Sequence, residues 1–143
     1  MVEIIDNYIK ILFIAIYAPN DKQEEFYKKL HMKIIGLDYV NIIMMGDFNG
    51  IVDNKLDYIA TTTKQNRKAL PRSFFKMTDE LTLKDIWRER NLKTKQYTFY
   101  SNRHLSWSRL DMIWISTELM SNIQETNIET SRSILHQDQR RIF

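Results

Sequence analysis

Residues 41–50 read Asn41-Ile42-Ile43-Met44-Met45-Gly46-Asp47-Phe48-Asn49-Gly50 (NIIMMGDFNG), and two of the chain's three glycines fall in this one stretch. An apolar run, Val40 to Met45, reads as a buried strand that ends in Gly-Asp-x-Asn-Gly. Side chains alternate along a strand, so Asp47 and Asn49 share one side while Phe48 turns to the core. Polar groups delivered at the carboxyl end of a strand lie where open α/β sheets hold their ligands. Asp serves as base, acid or metal ligand, and Asn donates to a phosphate oxygen while staying neutral. The glycines let the backbone turn and let a bulky substrate approach. The same five residues also compose a plain turn, because Asp, Asn and Gly dominate turns.

Upstream, Ile9 to Tyr17 (IKILFIAIY) is β-branched, aromatic and nearly continuous in apolarity, the pattern of a strand buried on both faces. Ala18-Pro19-Asn20 ends it, and Asp21-x-x-Glu24 has the form of a capping box. A helix over Lys22 to Ile35 carries Phe26, Leu30 and Ile34 on one stripe, and Gly36 closes it. Residues 9 to 47 are therefore a strand–helix–strand unit of an α/β fold, with an antiparallel placement of the second strand left open. Residues 50–68 are polar and read as a loop. Pro71 suits a helix start, with Phe74, Phe75, Thr78 and Leu81 as the apolar face. Tyr97 to Ser101 and Leu110 to Ile115 read as strands joined by a polar connection of hairpin type. A short helix near Glu118 to Asn122 and a weak strand at Ile123 to Ile128 follow.

The chain has 143 residues, the size of one domain, and a formal net charge of +3. That small basic excess permits a polyanion partner without demanding one. Absence of cysteine excludes disulfides and thiolate zinc sites and favours an intracellular setting. The longest apolar run, Ile11 to Ala18, is too short to span a bilayer and follows Glu3 and Asp6 rather than a basic segment. A soluble, unexported protein is the expectation. Residues 1–130 are read as one domain and 131–143 as a frayed basic tail.

Three further places carry chemistry-bearing residues. Asp111, in Ser108-Arg109-Leu110-Asp111, is the single acid of an otherwise apolar strand, and a buried carboxylate needs a partner. Arg109 beside it is the plainest partner. Tyr17 in IYAPN and Thr98 in QYTFYS read either as core residues or as phosphate contacts.

Taken in order, IYAPN, GDFN, DIWR…YTFYS and SRLDMIW resemble the endonuclease/exonuclease/phosphatase superfamily, and most of all the endonuclease domain of LINE-type (non-LTR) retrotransposons. The resemblance runs from about Ile9 to about Asn127. It implies a two-sheet α/β sandwich of the DNase I-like type that cuts phosphodiester bonds in DNA with Mg²⁺ or Mn²⁺. Carried over residue by residue, Asp47 activates or orients the attacking water and is a metal ligand. Asn49 orients the scissile phosphate, Tyr17 contacts it, and Asp111 holds a catalytic histidine in its tautomer. Thr98, Ser108 and Arg109 fall at the DNA-facing rim as substrate-binding residues. The resemblance also implies a monomeric domain, fused in the family to a reverse transcriptase, without a membrane partner and nuclear where it functions.

The chain departs from the pattern at both ends. The family opens with a strand bearing an Asn and another ending in a metal-ligand Glu; neither is present before Ile9, so the fold is expected to lack its N-terminal strands. The family closes with Ser-Asp-His, whereas residues 131–143 read SRSILHQDQRRIF; His136, near the expected distance from Asp111, is the candidate for the catalytic histidine, with Leu135 in place of the Asp, and the other readings are a scrambled remnant of His136 and Asp138 or a plain tail residue. The expectation is a divalent-metal-dependent endonuclease fragment of weak or no activity. The alternatives are a non-catalytic nucleic-acid-binding remnant on the same fold and a phosphatase of the same superfamily.

Overall fold

The computed structural model describes residues 1–6, 8–61 and 67–129. Its main sheet has five strands: β1 (Val2–Asp6), β2 (Ile9–Tyr17), β3 (Asn41–Asp47), β5 (Leu83–Asp85) and β8 (Asp111–Ser116), in the order β1-β2-β3-β8-β5. A second sheet holds β4 (Tyr58–Ala60), β6 (Phe99–Ser101) and β7 (Ser106–Ser108), in the order β4-β7-β6. The helices are α1 (Gln23–Ile35), α2 (Arg72–Glu80) and α3 (Ile86–Arg90), with a 3₁₀ turn over Thr117–Asn122. The result is an α/β fold with two sheets.

β2 and β3 are parallel, joined through α1, which settles the placement that the apolar runs left open. Their even positions, Leu12, Ile14, Ile16, Ile42 and Met44, are buried on the helix side with Tyr27, Ile34, Phe74 and Met77. Met112 and Trp114 of β8 extend this core. Five edge-to-face ring pairs knit the helix layer together, with Phe74 meeting Tyr27, Phe48, Phe75 and Trp114 at 5.0–5.6 Å. Edge-to-face geometry sets the positive ring edge on the negative face and adds to the area term.

The opposite face of the sheet is largely open. Register aligns Ile4 with Ile11, Phe13 with Ile43, and Met45 with Ile113, so all point the same way. Ile4 is 43% exposed, Met45 36% and Ile113 36%. The 3₁₀ turn covers one corner, where Leu119, Met120 and Ile123 meet Ile115, Ile11 and Ile43. Reading β2 as buried on both faces is therefore corrected: one face is core and the other is an apolar surface.

Several local expectations are replaced. The capping box does not form. Lys22 is the N-cap in a left-handed conformation with no side-chain hydrogen bond, and Glu24 instead accepts from the Ser73 amide at 3.2 Å. Gly36 does close α1 as its C-cap, in a right-handed conformation, and the left-handed residue that follows is Asp38. On α2 the buried residues are Ser73, Phe74, Met77 and Thr78, while Phe75 is half exposed. The polar stretch 50–68 contains β4 and a bridge from Ile51 to Ala69. The expected hairpin of 97–101 with 110–115 does not exist, because Ser106–Ser108 takes the place beside β6 and β8 crosses into the main sheet. No strand forms over residues 123–128.

Candidate functional site

Tyr17, Asp47 and Asp111 stand side by side. Tyr17 pairs with Asp47 across the parallel β2–β3 ladder, and Asp47 pairs with Asp111 across the antiparallel β3–β8 ladder. Paired residues on adjacent strands point to the same face, so three strands deliver one phenol and two carboxylates to one row. That row continues the open apolar face at its end. Tyr17 is 79% exposed, which leaves its ring free to meet a ligand.

Asp47 accepts the Asn49 amide at 2.8 Å in a two-residue Asx turn, and Asn49 itself is left-handed. The Asn49 side-chain amide donates to the Ala18 carbonyl and thereby clips the segment after Tyr17 to the loop after Asp47. Two residues of α1 hold this loop from below. The Gln23 amide donates to the Phe48 and Asn49 carbonyls at 3.1 and 3.0 Å, and the Tyr27 hydroxyl donates to the Phe48 carbonyl at 3.2 Å. Burial, and then the Asp47 charge, push the Tyr27 phenol well above its usual range, so it is a permanent donor here.

Asp111 is held by Thr98. The Thr98 hydroxyl oxygen accepts the Leu110 and Asp111 amides at 3.0 and 3.1 Å, and the Thr98 amide donates to the Ser108 carbonyl at 2.9 Å. Burial pushes the Asp111 carboxyl above the ordinary carboxylate range. Hydrogen bonding to Thr98 opposes this, and the Asp47 charge adds to it. A buried carboxyl raised in this way, with a second carboxyl on the neighbouring strand, is a pattern of functional sites.

The two glycines do not clear space for a substrate. A Cβ on Gly46 would stand 2.0 Å from the Ile16 carbonyl oxygen, and one on Gly50 would stand 2.9 Å from Leu70 Cδ2. Both clear space for the protein itself.

Three residues expected at the rim are buried. Thr98 is 3% exposed, Ser108 1% and Arg109 1%. Thr98 caps the first amides of β8, and the Ser108 hydroxyl makes no hydrogen bond among the described residues. Arg109 pairs with Asp57 and Asp85 rather than with Asp111. Asp57 lay in the polar loop and carried no sequence signal. Gln23 and Tyr27 share a stripe at i, i+4, and their polar tips on a buried helix face were the available hint. His136 lies outside the described residues. Among those described, no group of three His, Cys, Asp or Glu side chains converges on one point.

The chain has solved neighbours. The 3′-5′ exonuclease NExo of Neisseria meningitidis superposes at TM-score 0.62 with 18% identity over 82% of this chain and 52% of its own. AP endonuclease LMAP of Leishmania major superposes at 0.66 with 20% identity over 81% and 44%. An AP endonuclease of Archaeoglobus fulgidus does so at 0.61 with 20% identity over 80% and 51%. These likenesses show the fold. It is the DNase I-like α/β sandwich, shared over about half of the length of these neighbours. No family model matches the chain. In sequence the chain is 33% identical over 119 residues to the Transposon TX1 uncharacterized 149 kDa protein of Xenopus laevis, covering 79% of this chain and 9% of that one. No helix among the described residues is long and apolar enough to cross a membrane.

Proposed function

We propose that this chain is part of a retrotransposon-derived, divalent-metal-dependent DNA endonuclease, with weak or no activity alone. The row of Tyr17, Asp47 and Asp111 on three adjacent strands supports the reading best, on a fold shared with nucleases and beside a transposon relative. Asp47 would orient a water for attack on phosphorus, with its own carboxylate fixed by the Asn49 amide. Tyr17 would donate to a phosphate oxygen. Asn49 has one side-chain N–H engaged by Ala18 and a second left to donate.

Mg²⁺ binds through one or two carboxylates, several waters and substrate phosphate oxygens. The Asp47–Asp111 pair lies within that range, and Asp47 is the residue that would hold the ion. Bound there, the ion would supply positive charge against the phosphate. Neither carboxylate is the Glu ligand that the resemblance expects, which is the reason to expect weak cleavage. It also favours a second reading, a nucleic-acid-binding domain without catalysis, whose affinity would fall steeply with salt.

Nicking of supercoiled plasmid separates the two. Endonuclease activity requires nicking with Mg²⁺ that EDTA abolishes and that Asp47→Ala reduces at least a hundredfold. Nicking equal in Asp47→Ala, or none from folded protein, removes the catalytic reading.

A further inference from the structure

Arg109 stands two residues before Asp111, yet its guanidinium faces inward and is among the largest fully buried side chains. Its Nε donates to Asp57 Oδ1 at 2.8 Å and its Nη2 to Asp57 Oδ2 at 3.3 Å. The same Nη2 lies 2.7 Å from Asp85 Oδ2. Arg88 Nη2 donates to Asp57 Oδ1 at 2.7 Å. Two guanidinium groups thus balance two carboxylates, the condition under which buried charge is tolerated. The Trp87 ring lies against both, 4.8 Å from the Arg88 guanidinium carbon and 5.2 Å from that of Arg109.

The cluster also fixes backbone. The Arg109 amide donates to the Asp57 carbonyl at 2.9 Å. Arg88 Nη1 donates to the Asn91 and Thr94 carbonyls, both at 2.9 Å, and so ties down the strap that leads to Thr98. One group of charges therefore holds both neighbours of Asp111: Arg109 on its own strand approach, and the strap whose Thr98 hydroxyl takes the Leu110 and Asp111 amides.

We infer that the Asp57–Arg109–Arg88–Asp85 cluster is a positioning device that fixes the start of β8 and Thr98 so that the Asp111 carboxylate meets Asp47. Its consequence for cleavage rests on the endonuclease reading; its geometric part does not. A planar fork is needed, because bidentate pairing sets an angle as well as a charge, and lysine would keep only the charge.

The test uses the whole chain as Arg109→Lys, with Ile34→Ala as a core variant remote from the cluster. Amide hydrogen exchange is read for Leu110 and Asp111 against Ile14 and Met44 at the sheet centre. Arg109→Lys is expected to speed exchange at Leu110 and Asp111 at least tenfold more than at Ile14 and Met44, and to lower kcat for nicking at least tenfold with KM unchanged. Exchange that rises equally at all four amides, as in Ile34→Ala, overturns the inference. So does a kcat no lower than that of Ile34→Ala. Should Arg109→Lys fail to fold, Arg88→Gln carries the same expectation at Thr98 and Asp111, because it releases the 91–94 carbonyls and leaves Arg109 paired. If the wild-type chain does not nick, the endonuclease reading fails and the exchange pattern alone decides the positioning role.

Discussion

Gly46→Ala is the substitution whose effect the structure sets most narrowly. Gly46 has φ +136°, a conformation L-residues rarely adopt, and an added Cβ would lie 2.0 Å from the Ile16 carbonyl oxygen and 2.9 Å from its carbon. The atoms it meets are main chain of the paired strand β2, so no rotamer change relieves the overlap. Holding alanine in such a backbone region costs roughly 1–3 kcal/mol. Pushing two ladder strands apart adds roughly 1–3 kcal/mol. The expected loss is therefore about 2–6 kcal/mol, a large share of the roughly 5–15 kcal/mol that holds a domain together. Urea unfolding followed by fluorescence of the three tryptophans reads it directly. Gly36→Ala is the internal control. Gly36 is right-handed at φ −64°, and an added Cβ would come no nearer than 3.6 Å to any atom, so a neutral to mildly stabilising change of about 0.4–1 kcal/mol is expected. A Gly46→Ala protein within about 0.5 kcal/mol of wild type, on the scale of an ordinary surface substitution, would refute the reasoning.

Asp111→Asn should stabilise the fold at neutral pH, because the folded carboxyl is raised by burial and by Asp47 and its ionised form therefore costs stability. The gain should disappear as pH falls below the ordinary carboxylate range, where Asp111 is protonated in both states; urea midpoints at pH 7 and pH 3 check it. Asp57 has the opposite sign: burial raises it, but Arg109, the Asp53 amide and Arg88 outweigh burial and hold it low. It contributes stability above the ordinary carboxylate range that is lost as pH falls through its depressed value, so Asp57→Asn should flatten the acid limb of the stability curve. The open sheet face should bind a hydrophobic dye in the native state, and Met45→Glu with Ile113→Lys should reduce that fluorescence at least twofold without loss of native circular dichroism. Fluorescence unchanged by these substitutions would show that the dye does not bind this face.

The apolar runs of β2 and β3, the intervening helix, and GDFN at the strand end were legible because periodicity and turn chemistry are local. Tyr17, Asp47, Asn49 and Asp111 stood out as polar groups at the borders of apolar runs, and only the resemblance made them candidates for a site. Their meeting was not legible. It depends on the register of Tyr17 with Asp47 and of Asp47 with Asp111, contributed by strands 30 to 64 residues apart in sequence. The hairpin expectation failed for the same reason: SWS is too short to announce a strand, and its pairing with β6 sends β8 to the other sheet. Thr98, Ser108 and Arg109 show the limit most sharply. Their residue types suit a nucleic-acid rim, but burial decides what a polar side chain does. Inside the protein a guanidinium must be matched in charge, and the groups that match Arg109 come from residues 57 and 85. Sequence alone located the apolar strands β2, β3 and β8 and showed where polar groups interrupt them. Tertiary structure decided which of those groups face outward together and which serve the frame, because long-range pairing and desolvation exist only once the chain has folded.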